Sequence, residues 1–441
     1  MAVMEDTEAL LGSTEPVRRS WMKETSGRFV KPEWMQDANH RFIKPTSTTT
    51  RRILAAIVSI SLLSLICLFL PTTAKDFIRH TGHPPNAPNP ECPVSYVDAL
   101  PVCKGPDGSE AVIPNIVHYV FLLKDPQADF PLQFSHFLSM YGAYRLLGRP
   151  DKIYLHTNVA EDSIPVQRAR SGESGKWNKL IFDMPGLVIN TVEMPETAGN
   201  GKNITMMEHK SDFIRVKMVQ QLGGIYLDLD VQPLRDLAAL RNSGYRAVGG
   251  REYGFRDSNG TIHDGTLNSG TFMSVAGGAM ITRWMEKMNE VFDGGWITHS
   301  NKALTSIAED LVADDGQCEM LVLGRAGFAP GSWVDQDVSA LFDSHADVAN
   351  WPDEKFHEGD PLSDEVNLTH GLTPDWAADY GCTYLLHAFS KKKARNGARN
   401  NGITPRYVLE RKSNYARAVY PIARAMYNEG LVNLDDTDLG V

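Results

Sequence analysis

An α/β domain around a mostly parallel sheet is the fold class this sequence predicts, and three observations lead to it. From residue 113 onward, short apolar runs alternate with longer amphipathic stretches, the pattern of repeated strand and helix units. The short runs are rich in β-branched and aromatic residues, as strands are. One of them leads into a pair of acids, and in such sheets ligands gather at the carboxyl ends of strands.

Taken in chain order, residues 1–52 are polar, rich in Ser, Thr, Glu and Arg, and without a sustained period, so they are expected to be a disordered tail. Then comes RRILAAIVSISLLSLICLFLP, whose uncharged run 53–70 is about as long as one bilayer span requires. A signal peptide would begin near residue 1 with a shorter apolar stretch, and a core helix would not be so evenly apolar. Arg41, Lys44, Arg51 and Arg52 precede the run, against Lys75 and Arg79 after it, which predicts a cytosolic N-terminus and a lumenal or extracellular remainder. Residues 71–112 include HTGHPPNAPNPECP and read as a stiff stem.

Within 113–392, the strands predicted are IVHYVFLL, KIYLHT, LVINTV, GIYLDLD, TFMSV, MLVLG and YLLHA. Helices are predicted over 132–147, 212–222, 280–292 and 303–312. Residues 393–441 read as the end of a basic loop begun by KKKARNGARNNG, a short helical stretch and an acidic tail.

Composition narrows the partners. With 441 residues, 42% of them hydrophobic, a core forms readily; a net charge of −10 and a pI near 5.7 leave no basic footprint for nucleic acid. A nucleotide-sized anion stays compatible. Of five cysteines, Cys67 falls in the apolar run, leaving Cys92, Cys103, Cys318 and Cys382 for an oxidising compartment. Four cysteines allow three pairings, and short spacing makes Cys92 with Cys103 the first expectation. Glycosylation sequons at Asn203, Asn259 and Asn367 all follow the apolar run.

The chemistry concentrates in SDFIRVKMVQQLGGIYLDLDVQPL. Ser211 reads as a helix N-cap, and Gly223 or Gly224 as its left-handed stop. Asp212 and Arg215, three apart, share a helix face, either as an exposed ion pair or as one wall of a pocket. Asp228 and Asp230, two apart in a strand, would project to one side, toward water or toward something positive.

This run closely resembles the sugar-binding DxD segment of glycosyltransferase family 32, which includes fungal Golgi mannosyltransferases. It is similar, too, to the same segment in the large clostridial glucosylating toxins. The Asp-x-x-Arg helix, the Gly-Gly-x-Tyr turn and Asp-x-Asp occur together at fixed spacing, and weaker similarity runs from IPNIVHYVF to HAFS. The resemblance implies a GT-A-like, Rossmann-like nucleotide-sugar domain that transfers a hexose, with mannose among the candidates, from a GDP- or UDP-sugar to a glycan or glycolipid, with retention of configuration. It implies a Golgi or ER membrane protein of single-pass type II topology, its catalytic domain lumenal.

It also assigns residues. Asp230 becomes a direct ligand of Mn²⁺ or Mg²⁺ and Asp228 a contact to ribose, sugar or metal-bound water; hard oxygen ligands suit both ions. Asp212 and Arg215 would hold donor-sugar hydroxyls. Phe121 falls where the toxins set an aromatic ring against the base, Asn158 beside the nucleotide cleft, and Asn268 in a position similar to one facing sugar or acceptor. His387 matches a late metal- or phosphate-contacting position, followed by Ser390. For each of these a plainer role stands alongside: core packing for Phe121 and His387, strand or turn ends for Asn158 and Asn268. The family follows the Ser with a Trp on the leaving diphosphate; here SKKKAR offers Lys391 or Lys392 instead. Two alternatives remain, a haloacid-dehalogenase-type phosphatase, whose Asp-x-Asp lacks its Gly here, and a sugar-binding protein without turnover.

Overall fold

Strands that are apolar on both sides must be covered on both faces, and the sheet shows how this chain does it. The structure, a computed structural model, describes residues 102–258, 261–313, 318–345, 376–389 and 402–440. The apolar run 53–70, the sequons at Asn259 and Asn367, and Ser390, Lys391 and Lys392 lie outside the described residues. Among the described residues no helix is long and apolar enough to cross a membrane.

The strands are β1 (Ile116–Val120), β2 (Lys152–Thr157), β3 (Leu187–Thr191), β4 (Gly224–Leu227), β5 (Val231–Pro233), β6 (Ala247–Arg256), β7 (Ile262–Ser274), β8 (Leu321–Leu323) and β9 (Leu385–His387). Seven form one sheet in the order β3-β2-β1-β4-β7-β6-β8, while β5 and β9 pair separately. Only β7 runs against its neighbours, so the mostly parallel sheet is borne out. The chain builds outward from β1 to β3, then returns to lay β4 on the other side of β1. That reversal opens a crevice beyond the carboxyl ends of β1 and β4, where ligands bind in open α/β sheets.

Alternation along β4 separates the two faces. Ile225 and Leu227 enter one core cluster, together with Val117, Tyr119, Phe134 and Leu138; Tyr226 enters the other, with Phe213, Phe272 and Trp284. Helix Phe134–Leu146 covers the first face and helices Met207–Leu222, Ala279–Val291 and Ala303–Ala313 the second. Residues 402–440 also pack on the first face: helix Asn414–Asn428, far longer than a short stretch, buries Tyr415, Val419 and Ile422.

Two expectations are corrected. Helix Met207–Leu222 starts at Met206 as its N-cap, so Ser211 lies inside it rather than capping it. Cys103 bonds to Cys318, not to Cys92. The reason is local: the Cys103 N–H donates to the Ser243 carbonyl (2.8 Å) and the Arg246 N–H to the Cys318 carbonyl (2.8 Å), so both cysteines line the same segment. Cys382 is disulfide-bonded as well.

The glycine stop is borne out, with φ of +65° at Gly223 and +113° at Gly224. A hydrogen-bonded relay secures it. The Gly223 carbonyl can only accept, so His118 donates to it from Nε2 (2.8 Å); His118 Nδ1 then accepts from His156 Nε2 (2.9 Å), and His156 Nδ1 from the Asn190 amide (2.8 Å). Each ring gives one proton and receives one, so both are neutral. Burial pushes His118 down to about 4 and His156 well below its ordinary value.

A histidine whose folded pKa is depressed contributes stability that is present above about pH 6.5 and lost as the pH falls toward 4, on the order of 3 kcal/mol for His118. The unfolding free energy measured in urea is therefore expected to drop steadily between those values, with net proton uptake on unfolding. A flat profile across that window would contradict the relay.

Candidate active site

The two acids do not share one strand. β4 ends at Leu227, Leu229 and Asp230 form a turn, and the Val231 N–H donates to the Asp228 carbonyl at 3.0 Å. The expected convergence is nevertheless present, produced by the turn rather than the pleat. Asp228, Asp230 and His387 each offer a ligand atom, and these atoms lie within 4.8 Å of one another. Two carboxylates and an imidazole are a donor set that fits a divalent cation.

His387 arrives from far along the chain. β5 continues directly from the turn and pairs with β9, placing Val231 opposite His387, and the Ala388 N–H donates to the Asp230 carbonyl at 3.0 Å. His387 Nε2 lies 3.3 Å from Asp230 Oδ1. Burial opposes a charge on this ring, but Asp230, with Asp228 and Glu252 beyond it, holds its pKa above the ordinary value.

Arg215 organises the other side. Its guanidinium reaches Asp228 with both terminal nitrogens, at 3.2 and 3.4 Å, Asp212 at 3.1 Å and the Ser269 carbonyl at 3.0 Å. The Tyr226 hydroxyl donates to Asp228 Oδ1 at 2.6 Å, and the Arg215 Cζ lies 4.6 Å from the centre of the Tyr226 ring. Burial disfavours the guanidinium charge, yet Asp228, with Tyr226, Asp212 and Asp230, holds its pKa above the ordinary value. Asp212 is not an exposed partner: its second oxygen meets His299 Nε2 at 2.9 Å. In this arrangement Asp212 and Arg215 act on Asp228 and are largely withdrawn from solvent.

Asn268 sits inside β7 rather than before a strand, fully buried, with its amide on Glu252 (2.8 Å) and on His387 Nδ1 (2.9 Å). Phe121 follows β1 at the crevice, half-buried, and packs on Phe130 and His136. Asn158 follows β2, but both its polar atoms bind the Leu123 main chain, each at 2.8 Å. It pins the loop after β1 and has its amide spent there. The structure thus brings Asp212, Arg215, Asp228, Asp230, Asn268 and His387 together and sets Phe121 and Asn158 at the neighbouring strand ends. Ser390 and Lys392 fall outside the described residues.

Several participants escaped the sequence reading. Glu252 on β6 is buried, accepts from Asn301 (2.7 Å), Thr266 (3.2 Å) and Asn268, and is pushed up to about 7 by burial. A single π-helical turn, Thr298–Lys302, delivers both His299 to Asp212 and Asn301 to Glu252, a use of that rare geometry often met at functional sites. Gly270 leaves room: a Cβ there would stand 2.5 Å from Asp228 Oδ2 and 2.8 Å from His387 Cε1. Tyr226 had a visible signal, since it stands two residues before Asp228 in the sequence; Glu252 had none.

Residues 150–247 match the family model described as a glycosyltransferase sugar-binding region containing a DXD motif. A curated relative, glucan organizing enzyme 1 of Cryptococcus neoformans var. grubii serotype A, is 29% identical over 196 residues, which cover 43% of this chain and 48% of the relative. The chain thus spans about half the length of that relative. Among solved structures, the glycosyltransferase GlyE of Streptococcus pneumoniae aligns at 11% identity over 72% of this chain and 64% of its own, with a TM-score of 0.33. Mouse xyloside xylosyltransferase 1 aligns at 14% identity over 49% and 87%, with a TM-score of 0.31. Likenesses of that size add nothing to the fold, which rests on the sheet itself. The matched segment contains Asp212, Arg215, Asp228 and Asp230, and on its account the chain carries a glycosyltransferase domain resembling family 32.

Proposed function

We propose that this chain is a metal-dependent hexosyltransferase that moves a hexose, with retention of configuration, from a GDP- or UDP-sugar to a glycan or glycolipid. The observation that carries the reading is the meeting of Asp228, Asp230 and His387 at the strand-order reversal, beside a buried arginine fork. Asp228 and Asp230 would hold Mn²⁺ or Mg²⁺ there. A bound cation supplies Lewis-acid stabilisation of the charge that builds on the departing diphosphate. Arg215 and Tyr226 fix the Asp228 carboxylate in one orientation, so no reorganisation is needed when donor arrives. The name of the curated relative makes a glucan one acceptor to test, and mannose stays among the donor sugars.

The phosphatase alternative loses its support. The residues around Asp228 match a glycosyltransferase sugar-binding model, and the Gly that follows the phosphatase motif is absent.

In location, the reading is a type II protein of the Golgi or ER with 53–70 as anchor and the described domain lumenal. What supports it is the charge asymmetry around that run, the Cys103–Cys318 bond, which persists in oxidising compartments, and a sequon at Asn203 that stands exposed.

Two tests apply. Asp230→Asn is expected to lower transfer on the order of 10³-fold and to abolish metal-dependent nucleotide binding, with an unchanged melting temperature. Activity that survives this substitution, or that persists in excess chelator, rules out the metal-dependent reading. For topology, sealed microsomes are expected to expose a tag at residue 1 to protease while Asn203 gains glycan; a protected tag reverses the orientation.

A further inference from the structure

Asn268 settles which nitrogen of His387 carries the ring proton. The Gly270 N–H lies 2.7 Å from Asn268 Oδ1 and can only donate, so that atom is the carbonyl oxygen of the amide. The amide nitrogen therefore faces Glu252 Oε2 and His387 Nδ1, giving one N–H to each. Nδ1 must accept. The ring proton is then on Nε2, the atom 3.3 Å from Asp230 Oδ1.

We infer that His387 serves the site as a hydrogen-bond donor to an anion, not as a nitrogen ligand of the metal, and that Asn268 is the positioning residue that fixes this tautomer. A ligating imidazole needs its lone pair toward the metal and normally donates its other N–H to a carboxylate or carbonyl. Here the partner of the other nitrogen is itself a donor, the opposite of that pattern. Glu252 keeps the amide from rotating, being fixed in its turn by Asn301 and Thr266. The Nε2–H meets Asp230 in this structure; on the hexosyltransferase reading above, a diphosphate oxygen would be the second anion for it to serve. The expectation of His387 as a metal ligand is revised accordingly, leaving Asp228 and Asp230 as the protein ligands.

The tautomer is read directly from two-bond nitrogen–proton couplings in the metal-free full chain labelled with nitrogen-15 histidine, the His387 signal being the one lost in His387→Gln. The expected pattern at about pH 7.5 is protonated Nε2 with a bare Nδ1. A protonated Nδ1, alone or with Nε2, overturns the inference. Asn268→Asp should move the proton to Nδ1, because a carboxylate accepts where the amide donated; an unchanged Nε2–H pattern in that variant overturns the role given to Asn268. Independently of any substitution, Mn²⁺ with GDP or UDP on the parent should show no directly coordinated nitrogen by pulsed electron paramagnetic resonance. A nitrogen coupling that disappears in His387→Gln overturns the inference. Failure to bind Mn²⁺ at all overturns the metal-dependent reading instead, while the tautomer stands or falls on the nitrogen-15 spectrum.

Discussion

A single buried guanidinium holds this site in being. Asp228 and Asp212 approach one another from a strand end and a helix, and two carboxylates in so confined a space repel unless a cation lies between them. Arg215 is that cation, and its planar fork lets it serve both while donating to the Ser269 carbonyl. Helix Met207–Leu222, the turn after β4 and β7 are thereby tied at one point, each supplying one partner. A lysine would carry the charge without the fork, and an apolar residue would leave carboxylates unpaired, a loss typically about 3–5 kcal/mol.

Much of this was legible in the sequence because it is local. The Asp-x-x-Arg spacing sets both side chains on one helix face, the two glycines end that helix in a left-handed turn, and the acids follow a strand apolar on both faces. Strands KIYLHT and LVINTV stood out for the same reason: their length and β-branched content are visible without knowing their neighbours. The ends of elements were less visible. Ser211 has the chemistry of a cap, but the residues before it extend the helix, and nothing in MEHK marks the true start.

What escaped is what depends on partners distant in the chain. β6 reads AVGGREYGFR, with three glycines and three charges, and becomes a strand only because β7 and β8 flank it. Glu252 was lost with it. The π-helical turn that aims His299 and Asn301 has no sequence signature, since THSNK is compatible with any loop. The cysteine pairing failed likewise, because closeness along the chain says little once Cys103 lies beside the strand segment that Cys318 also borders. His387 was found through its motif, but its proton could be assigned only from the atoms around it.

The pairing of β5 with β9 carries a consequence for biosynthesis. Val231 follows the acids immediately, whereas its partner His387 leaves the ribosome only after β6, β7 and β8 have been made. Domains are generally made and folded from the N-terminus onward at about 5–20 residues per second. For many seconds, then, a nascent chain displays both carboxylates and Arg215 but lacks the small two-stranded sheet that closes the turn. The cluster of Asp228, Asp230 and His387 is therefore completed late in translation, after β6, β7 and β8 have been made, and the last few dozen residues pack on the same core.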